Sequence, residues 1–320
     1  MIINYDPANL SSEKQNSQNF FRSVDMCVLP QSVPFLVCLC CLLFAGSLGV
    51  VVKVNSDVDM EVELEGSESF LTSVQYQTVA EYLRDTYKLA TPFPHIYFDK
   101  MFPSAITKRS SEEFPHHLAM PQLAEGWGVW KDPNPQQYKK YFLRDEEKMG
   151  PGTRSLIEHM RSRMFVSFLE SLTGIPYLLP DPYLHGAGLH QISRGGFLSI
   201  HADFNRRESD GLFRRVNVFM FLNDGWDESW GGHLEFWDGN MTRCHEKVLP
   251  LLNRLLIFSS AKDTMHGHPD PLMCPFDRYR QSIALYYYTV APPPNSDIND
   301  QFVNTNFQPR PVKDRSGGEF

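Results

Sequence analysis

The sequence has few cysteines, no strongly basic segment and no internal repeat, and each absence excludes a class of protein. Four of its six cysteines lie within the first 41 residues, which leaves Cys244 and Cys274 for the rest of the 320-residue chain. Two cysteines cannot build a disulfide framework or a cysteine-based zinc site. Acidic residues outnumber basic ones by 38 to 30, and the densest basic spots are pairs. We therefore expect no nucleic-acid partner.

Nucleotide-binding glycine motifs are also missing. Gly195-Gly196 has no phosphate-loop pattern around it and predicts only a turn. The composition, 42% hydrophobic and 21% charged, is typical of a globular protein and excludes a wholly disordered or fibrous chain.

Charge is absent from one long stretch, residues 33–52. Because a helix rises about 1.5 Å per residue, this run is long enough for a bilayer core of about 30 Å. We predict a single transmembrane segment over 33–52, with a buried core helix or a cleaved signal peptide as the alternatives. Lys14 and Arg22 precede the run and Lys53 follows it. This asymmetry favours a main domain in the lumen of the secretory pathway, such as the endoplasmic reticulum.

Three further segments flank the predicted main domain. Residues 1–32 are polar and unpatterned and predict a disordered lead, and residues 291–320 predict a disordered tail. Residues 53–68 form an acidic connector in which acidic and apolar side chains alternate over residues 57–65. This period of two is typical of a strand, and a charged stalk is the alternative.

The main domain, residues 69–290, is expected to be helical in its first part and rich in strands in its second. Apolar spacing predicts helices over 69–89, 103–114 and 151–172, within a helical support over 69–180. Short apolar or alternating runs predict strands over 188–193, 197–202, 215–222, 233–237, 254–258 and 280–290. The predicted fold is α+β and mainly β: a double-stranded β-helix, or jelly roll, over 181–290, braced by the preceding helices.

Three residues suggest a metal site. His201 and Asp203 stand two positions apart at the end of a predicted strand, so their side chains share one face. His266 follows near a later strand. Two imidazoles and one carboxylate form the facial triad of non-haem Fe(II) oxygenases, which leaves coordination positions open.

A carboxylate clamp follows the triad along the chain. Arg280 and Ser282 lie at the start of the last predicted strand. An arginine can hold a carboxylate with two hydrogen bonds, and a serine hydroxyl can add a third. A metal triad followed by such a clamp indicates a 2-oxo diacid as co-substrate.

The region from about residue 92 to residue 290 resembles the 2-oxoglutarate and Fe(II)-dependent dioxygenases, and within them the prolyl 4-hydroxylase-like branch. Four stretches carry the resemblance: 92–103, 172–204, 214–238 and 266–289. It implies a jelly-roll enzyme that uses Fe(II), 2-oxoglutarate and O2, with ascorbate as an optional reductant. The implied reaction is hydroxylation of a C–H bond, with proline in a protein or peptide as the expected target. A dioxygenase acting on a small molecule or lipid, and a non-catalytic membrane-tethered binding module, remain as alternatives.

The resemblance also implies roles for single residues. His201, Asp203 and His266 would bind iron, while Arg280 and Ser282 would bind the far carboxylate of 2-oxoglutarate.

At two positions where relatives commonly have a tyrosine, this sequence has another residue. Gln191 would line the co-substrate pocket, and Phe221 lacks the hydroxyl that a tyrosine would offer, which is expected to weaken co-substrate binding.

Four further histidines lie near these residues in the sequence. His268 is the alternative to His266 as the second metal histidine, because it lies two residues further along the chain. His185, His190 and His233 are expected to be ordinary strand or loop residues.

Overall fold

The computed structural model describes residues 52–54, 61–64, 69–114, 127–129, 136–294, 296–297 and 301–311. The predicted lead lies outside these ranges, as does the predicted transmembrane segment except for its last residue. That residue, Val52, is the first of a β-strand. Within the described ranges, no helix has both the length and the apolar character needed to cross a bilayer.

In the described residues, four α-helices precede most of the strands: α1 Ser73–Leu89, α2 Ser104–Glu112, α3 Pro151–Arg161 and α4 Arg163–Thr173. They confirm the three predicted helical regions but divide the last of them in two. Ser162 has an extended backbone, with φ −61° and ψ 152°, and its hydroxyl accepts a hydrogen bond from the Phe165 amide. A serine in this conformation caps the start of a new helix, so one continuous helix cannot form.

The described strands are β1 Val52–Val54, β2 Glu61–Leu64, β3 His95–Asp99, β4 Trp127–Val129, β5 Gln137–Leu143, β6 Leu179–Pro180, β7 Gly188–Ala202, β8 Phe213–Phe221, β9 Leu234–Trp237, β10 Cys244–Val248, β11 Arg254–Ser259, β12 Met265–His268, β13 Tyr279–Thr289 and β14 Asn306–Phe307. Along the sheet they are ordered β1-β2-β3-β11-β8-β13-β7-β12-β9-β10. Of these pairs, β2–β3 is parallel and the others are antiparallel. The predicted mainly β architecture, a curled antiparallel sheet braced by helices, is thereby confirmed.

Strand β7 forms the bend of the sheet. Its first half pairs with β13, and its second half pairs with β12. We predicted two strands here, separated by a turn at Gly195-Gly196; the structure has a single strand with an irregularity at that point. A side chain at Gly196 would collide with the Ser193 and Tyr138 carbonyl oxygens. Glycine therefore permits the close approach of backbones that the bend requires.

The apolar pattern missed several short strands, including β3, β5 and β12. Strand β12 has the sequence Met-His-Gly-His, which is only four residues long and contains no β-branched or aromatic apolar residue that would predict a strand. Such a strand is fixed by its neighbours β7 and β9 rather than by its own sequence.

The acidic connector takes part in the sheet. Its strand alternative is confirmed for Glu61–Leu64, which pairs with β1 and β3. The stalk alternative is wrong for these residues.

The predicted disordered tail, residues 291–320, is wrong for part of its length. Asn306 and Phe307 form β14, which pairs with Ala202 and His201 at the end of β7. The Gln308 amide continues this pairing by donating to the Ile200 carbonyl oxygen at 2.8 Å. The polar composition of this segment predicted disorder, but the segment is ordered because it pairs with the end of β7.

Helices α1 and α4 pack together on the sheet and bury one face of each. The buried side chains of α1 are Tyr76, Val79, Ala80, Leu83 and Tyr87, at helical spacing. They join a single apolar cluster with α3, α4 and the middles of β8 and β13. The helices therefore support one side of the sheet, while the polar cavity described below lies within its bend.

The first residue of β7 offers a test of this packing. Gly188 has φ +95°, and an added side chain would collide with the Leu143 carbonyl oxygen. We expect Gly188→Ala to lower the free energy of unfolding by about 2–4 kcal/mol, from backbone strain and overpacking together. Gly174→Ala is the matched control, because Gly174 has φ +73° but only the flexible end of the Lys88 side chain, at 3.5 Å or more, near an added Cβ. Chemical denaturation of both variants measures the difference, and equal losses would contradict the steric argument.

Candidate active site

The three predicted metal residues meet at the end of β7. His201 and His266 are direct partners across the β7–β12 pair, and their ring centroids are 4.5 Å apart. Asp203 follows β7, and its Oδ1 lies 3.5 Å from His201 Nε2 while its Oδ2 lies 3.3 Å from His266 Nε2. One ligand atom from each residue lies within 4.8 Å of the other two. The structure thus brings together the atoms that a single metal ion would need.

Backbone carbonyl groups fix the orientation of both imidazoles. His201 Nδ1 lies 2.8 Å from the Ser199 carbonyl oxygen, and His266 Nδ1 lies 3.0 Å from that of Thr264. Since a carbonyl oxygen only accepts hydrogen bonds, each Nδ1 carries the proton. The Nε2 lone pairs are therefore directed at the centre of the cluster, in the tautomer that binds a metal.

Asp203 is held by two side chains of β8 that the sequence did not single out. Arg214 Nη2 donates to Asp203 Oδ2 at 2.7 Å, and Asn217 Nδ2 donates to the same oxygen at 3.1 Å. Arg214 Nε in turn donates to Asn217 Oδ1 at 2.7 Å. Its guanidinium also covers the ring of Tyr286, 3.3 Å from the centroid. This network orients the carboxylate before any metal binds.

The electrostatics of the cluster favour a neutral His201 and an ionised Asp203 carboxyl. Burial lowers the pKa of His201, and the neighbouring His266 lowers it further. Burial alone would raise the pKa of Asp203, but Arg214 and the two histidines hold it well below its usual range. Neutral imidazoles and an ionised carboxylate are the protonation states that a divalent metal requires.

The other end of the same cavity is cationic. Arg280, on β13, lines it together with Ser282, as the sequence predicted. Arg280 Nε donates to the Gly232 carbonyl oxygen at 2.7 Å, whereas its buried Nη2 has no hydrogen-bond partner in the part of the chain that the structure describes. Burial lowers the pKa of Arg280 to about 9. A guanidinium fixed by one nitrogen and unsatisfied at another is ready to bind an anion.

Lys140 adds a second positive charge that sequence reasoning missed. It lies on β5, lines the cavity, and follows Lys139, whose φ of +50° marks an irregularity in the β5–β7 pairing. Such a bulge redirects the next side chain, which no local sequence signal reveals. Burial lowers the pKa of Lys140 to about 8, with Asp203 opposing the shift.

The prediction that Gln191 lines the co-substrate pocket is wrong. Its neighbours His190 and Ile192 line the cavity, so Gln191 lies on the opposite face of β7. Counting back by twos from His201 would place Gln191 towards the cavity. However, between Leu198 and His201 two residues of β7 oppose the single residue Gly267 of β12, and this extra residue shifts the alternation by one. The same shift makes His190 a cavity residue rather than an ordinary strand histidine.

His268 and Phe221 also lie near the cationic end. His268 lines the cavity, but it lies across from Leu198 rather than His201 and is not part of the metal cluster. Phe221 is fully buried beneath Arg280, with the guanidinium carbon 5.1 Å from its ring centroid. It supports the arginine by packing and contributes no hydrogen bond.

The sequence of this region was compared with known protein families. Residues 187–288, which include all three cluster residues and Arg280, match the 2OG-Fe(II) oxygenase superfamily. The predicted resemblance to this superfamily is confirmed for residues 187–288. Fe(II) is its metal, and 2-oxoglutarate and O2 are its co-substrates. A comparison with curated protein sequences found no match.

Solved structures similar to the chain include oxygenases of several kinds. A prolyl hydroxylase from Trichoplax adhaerens, in complex with a hypoxia inducible factor peptide, shares 15% identity over 67% of this chain and 91% of its own, with a TM-score of 0.48. A prolyl-4-hydroxylase from Pseudomonas putida shares 14% identity over 66% of this chain and 98% of its own, with a TM-score of 0.46. HygX from Streptomyces hygroscopicus, with nickel, 2-oxoglutarate and hygromycin B bound, shares 13% identity over 65% of this chain and 86% of its own, with a TM-score of 0.42. Similarity this low carries no argument about substrate.

The cavity of the oxygenase region fits the superfamily's metal and co-substrate. The cluster supplies two imidazoles and one carboxylate, which are donors suited to Fe(II). The cationic end supplies an unsatisfied Arg280 Nη2 and the ammonium of Lys140, which suit a carboxylate. Both groups of side chains line one cavity, so one molecule can contact both ends.

Proposed function

We propose that this protein is a 2-oxoglutarate and Fe(II)-dependent dioxygenase in which His201, Asp203 and His266 bind the metal and Arg280 and Ser282 bind the co-substrate. One observation supports it above the others: the metal cluster and the unsatisfied guanidinium of Arg280 line the same cavity. When bound, the metal and 2-oxoglutarate supply the oxygen chemistry, in which O2 oxidises 2-oxoglutarate to succinate and CO2 and one oxygen atom enters a C–H bond of the substrate.

The protein's own residues orient the three metal ligands and limit the access of water to them. The imidazoles present Nε2 because Ser199 and Thr264 carbonyl oxygens fix their Nδ1 protons. Arg214 and Asn217 hold Asp203 so that no rearrangement is needed when metal binds. The rings of Phe258 and Phe307 pack against the two histidines, with centroid distances of 4.8 Å to His266 and 5.3 Å to His201, and limit access of water.

The proposed substrate is a prolyl residue in a protein or peptide, which is supported by the sequence resemblance to the prolyl 4-hydroxylase-like branch. The proposed location is a membrane, with residues 33–52 as the anchor and the catalytic domain in the lumen of the secretory pathway. The uncharged run of residues supports this part of the proposal. Protease protection of membrane vesicles containing the full chain tests the orientation.

Anaerobic titration of the full chain with Fe(II), followed by 2-oxoglutarate, tests the proposed activity. We expect one Fe(II) per chain, a visible absorption band when 2-oxoglutarate is added, and succinate formation on exposure to air. Failure to bind Fe(II) would contradict the dioxygenase and favour a non-catalytic binding module.

Mass spectrometry of the products identifies the substrate class. We expect an increase of one oxygen atom, at proline, in peptides incubated with the loaded enzyme, 2-oxoglutarate and air. Oxygen found only in a small molecule or lipid would retain the dioxygenase and contradict the prolyl substrate. Heat-inactivated enzyme provides the background for adventitious oxidation.

A further inference from the structure

His268 is a buried histidine without a structural role in the described part of the protein. Its side chain is 2% exposed, and neither Nδ1 nor Nε2 has a hydrogen-bond partner among the described residues. By contrast, His201 and His266 each bond a backbone carbonyl through Nδ1. A buried polar group without a partner is costly and rare in native proteins. A ligand that supplies the missing partner would remove this cost.

The position of His268 indicates what that ligand contacts. It lines the central cavity together with Arg280 and Lys140, and it is paired with Leu198 of β7 rather than with the cluster residue His201. It also lines an adjacent cavity formed by Gly232, Glu235 and Lys247 among others. His268 therefore separates the cationic end of the central cavity from this outer one.

Three side chains from three strands thus converge on one end of the cavity. Arg280 lies on β13, Lys140 on β5 and His268 on β12. Two are cations, and a neutral imidazole can still donate one N–H. Asp203, the cavity's one anionic side chain among the described residues, belongs to the metal cluster and is already bonded by Arg214. The unsatisfied donors therefore favour an anion with several acceptor oxygens, such as a carboxylate.

We infer that His268 and Lys140, together with Arg280, form a three-donor site for the far carboxylate of the co-substrate. This inference rests on the proposed function and adds two residues to its carboxylate clamp. His268 donates a hydrogen bond through a ring N–H, while Lys140 contributes positive charge from β5. The site makes up for the hydroxyl that Phe221 lacks. It selects a 2-oxo acid with a second carboxylate over one that ends in an alkyl group.

Direct binding to the Mn(II)-loaded protein tests the inference without catalysis. Calorimetric titration with 2-oxoglutarate should give a dissociation constant about 10- to 100-fold higher for His268→Ala than for wild type, the range of one hydrogen bond to a charged group. His268→Gln, which retains an N–H donor, should recover part of that loss. Mn(II) affinity should stay within about threefold of wild type in both variants, because His268 is outside the metal cluster.

His233→Gln is the matched control. His233 lines the outer cavity, not the central one, and is paired with Glu228 at 3.7 Å. It should leave 2-oxoglutarate affinity unchanged. Wild-type affinity in His268→Ala, or equal losses in His268→Ala and His268→Gln, would overturn the inference. If wild-type protein binds Mn(II) but no 2-oxoglutarate, the proposed function itself fails, so the two failures are distinguishable.

Discussion

Replacement of His201 by alanine is expected to abolish succinate formation and to weaken Fe(II) binding by about 100-fold or more. His201 Nε2 is one of three ligand atoms that lie within 4.8 Å of one another, and its Nδ1 is fixed by the Ser199 carbonyl oxygen. Loss of an outer partner of a metal ligand alone costs about 10- to 100-fold in affinity, and loss of the ligand itself should cost no less. Anaerobic equilibrium dialysis and a succinate assay measure the two effects.

The fold should survive this substitution, which allows the metal effect to be isolated. His245→Ala is a suitable control, because His245 lies on β10, is exposed and does not line the cavity. It should bind Fe(II) and form succinate as wild type does. Equal turnover of 2-oxoglutarate by His201→Ala and wild type would remove His201 from the proposed metal site.

Replacement of Arg214 by methionine is expected to lower the free energy of unfolding of the metal-free protein by about 3–5 kcal/mol. The guanidinium is 1% exposed and compensates the charge of Asp203 at 2.7 Å. Removing one partner of a buried ion pair leaves the other charge uncompensated, which is the costly case. Asn217 provides only a neutral donor at 3.1 Å.

Mn(II) should stabilise Arg214→Met less than wild type, because the variant no longer orients Asp203 and loss of such an outer partner weakens metal binding about 10- to 100-fold. Thermodynamic linkage converts the weaker binding into a smaller gain in stability when Mn(II) is added. Thermal denaturation with and without Mn(II) measures this difference. A loss of stability that is the same in both forms would show that Arg214 acts only in packing.

Arg254→Met is the matched control for the metal effect. Arg254 binds both carboxylate oxygens of Asp99, at 2.7 and 2.6 Å, and joins β11 to β3 at directly opposed positions. This buried ion pair does not line the cavity, so its loss should destabilise the protein equally with and without Mn(II).

The metal cluster could be predicted from sequence because its geometry is mostly local. His201 and Asp203 share a face by their spacing alone, and Arg280 and Ser282 share one in the same way. The alternation of side chains along a strand fixes these relations without knowledge of any other strand. The family resemblance then placed His266 with them, and the β7–β12 pairing does bring it opposite His201.

The rest of the cavity could not be predicted, because it depends on which strands pair and in which register. An extra residue in β7 between Leu198 and His201 exchanges the faces of His190 and Gln191, and the irregular β5–β7 pairing brings Lys140 into the cavity. Pairing is a long-range property that short polar strands such as β12 do not encode locally.

The sequence by itself therefore predicted the candidate metal triad, the candidate carboxylate clamp and a mainly β domain, of which residues 187–288 match the 2OG-Fe(II) oxygenase superfamily. Only the tertiary structure decided what surrounds that chemistry. Arg214 and Asn217 reach Asp203, and Lys140 and His268 join Arg280, because the curled sheet closes strands that are distant in the chain around one cavity. Local spacing sets which side chains share a face, whereas burial and strand register set which charges must compensate one another.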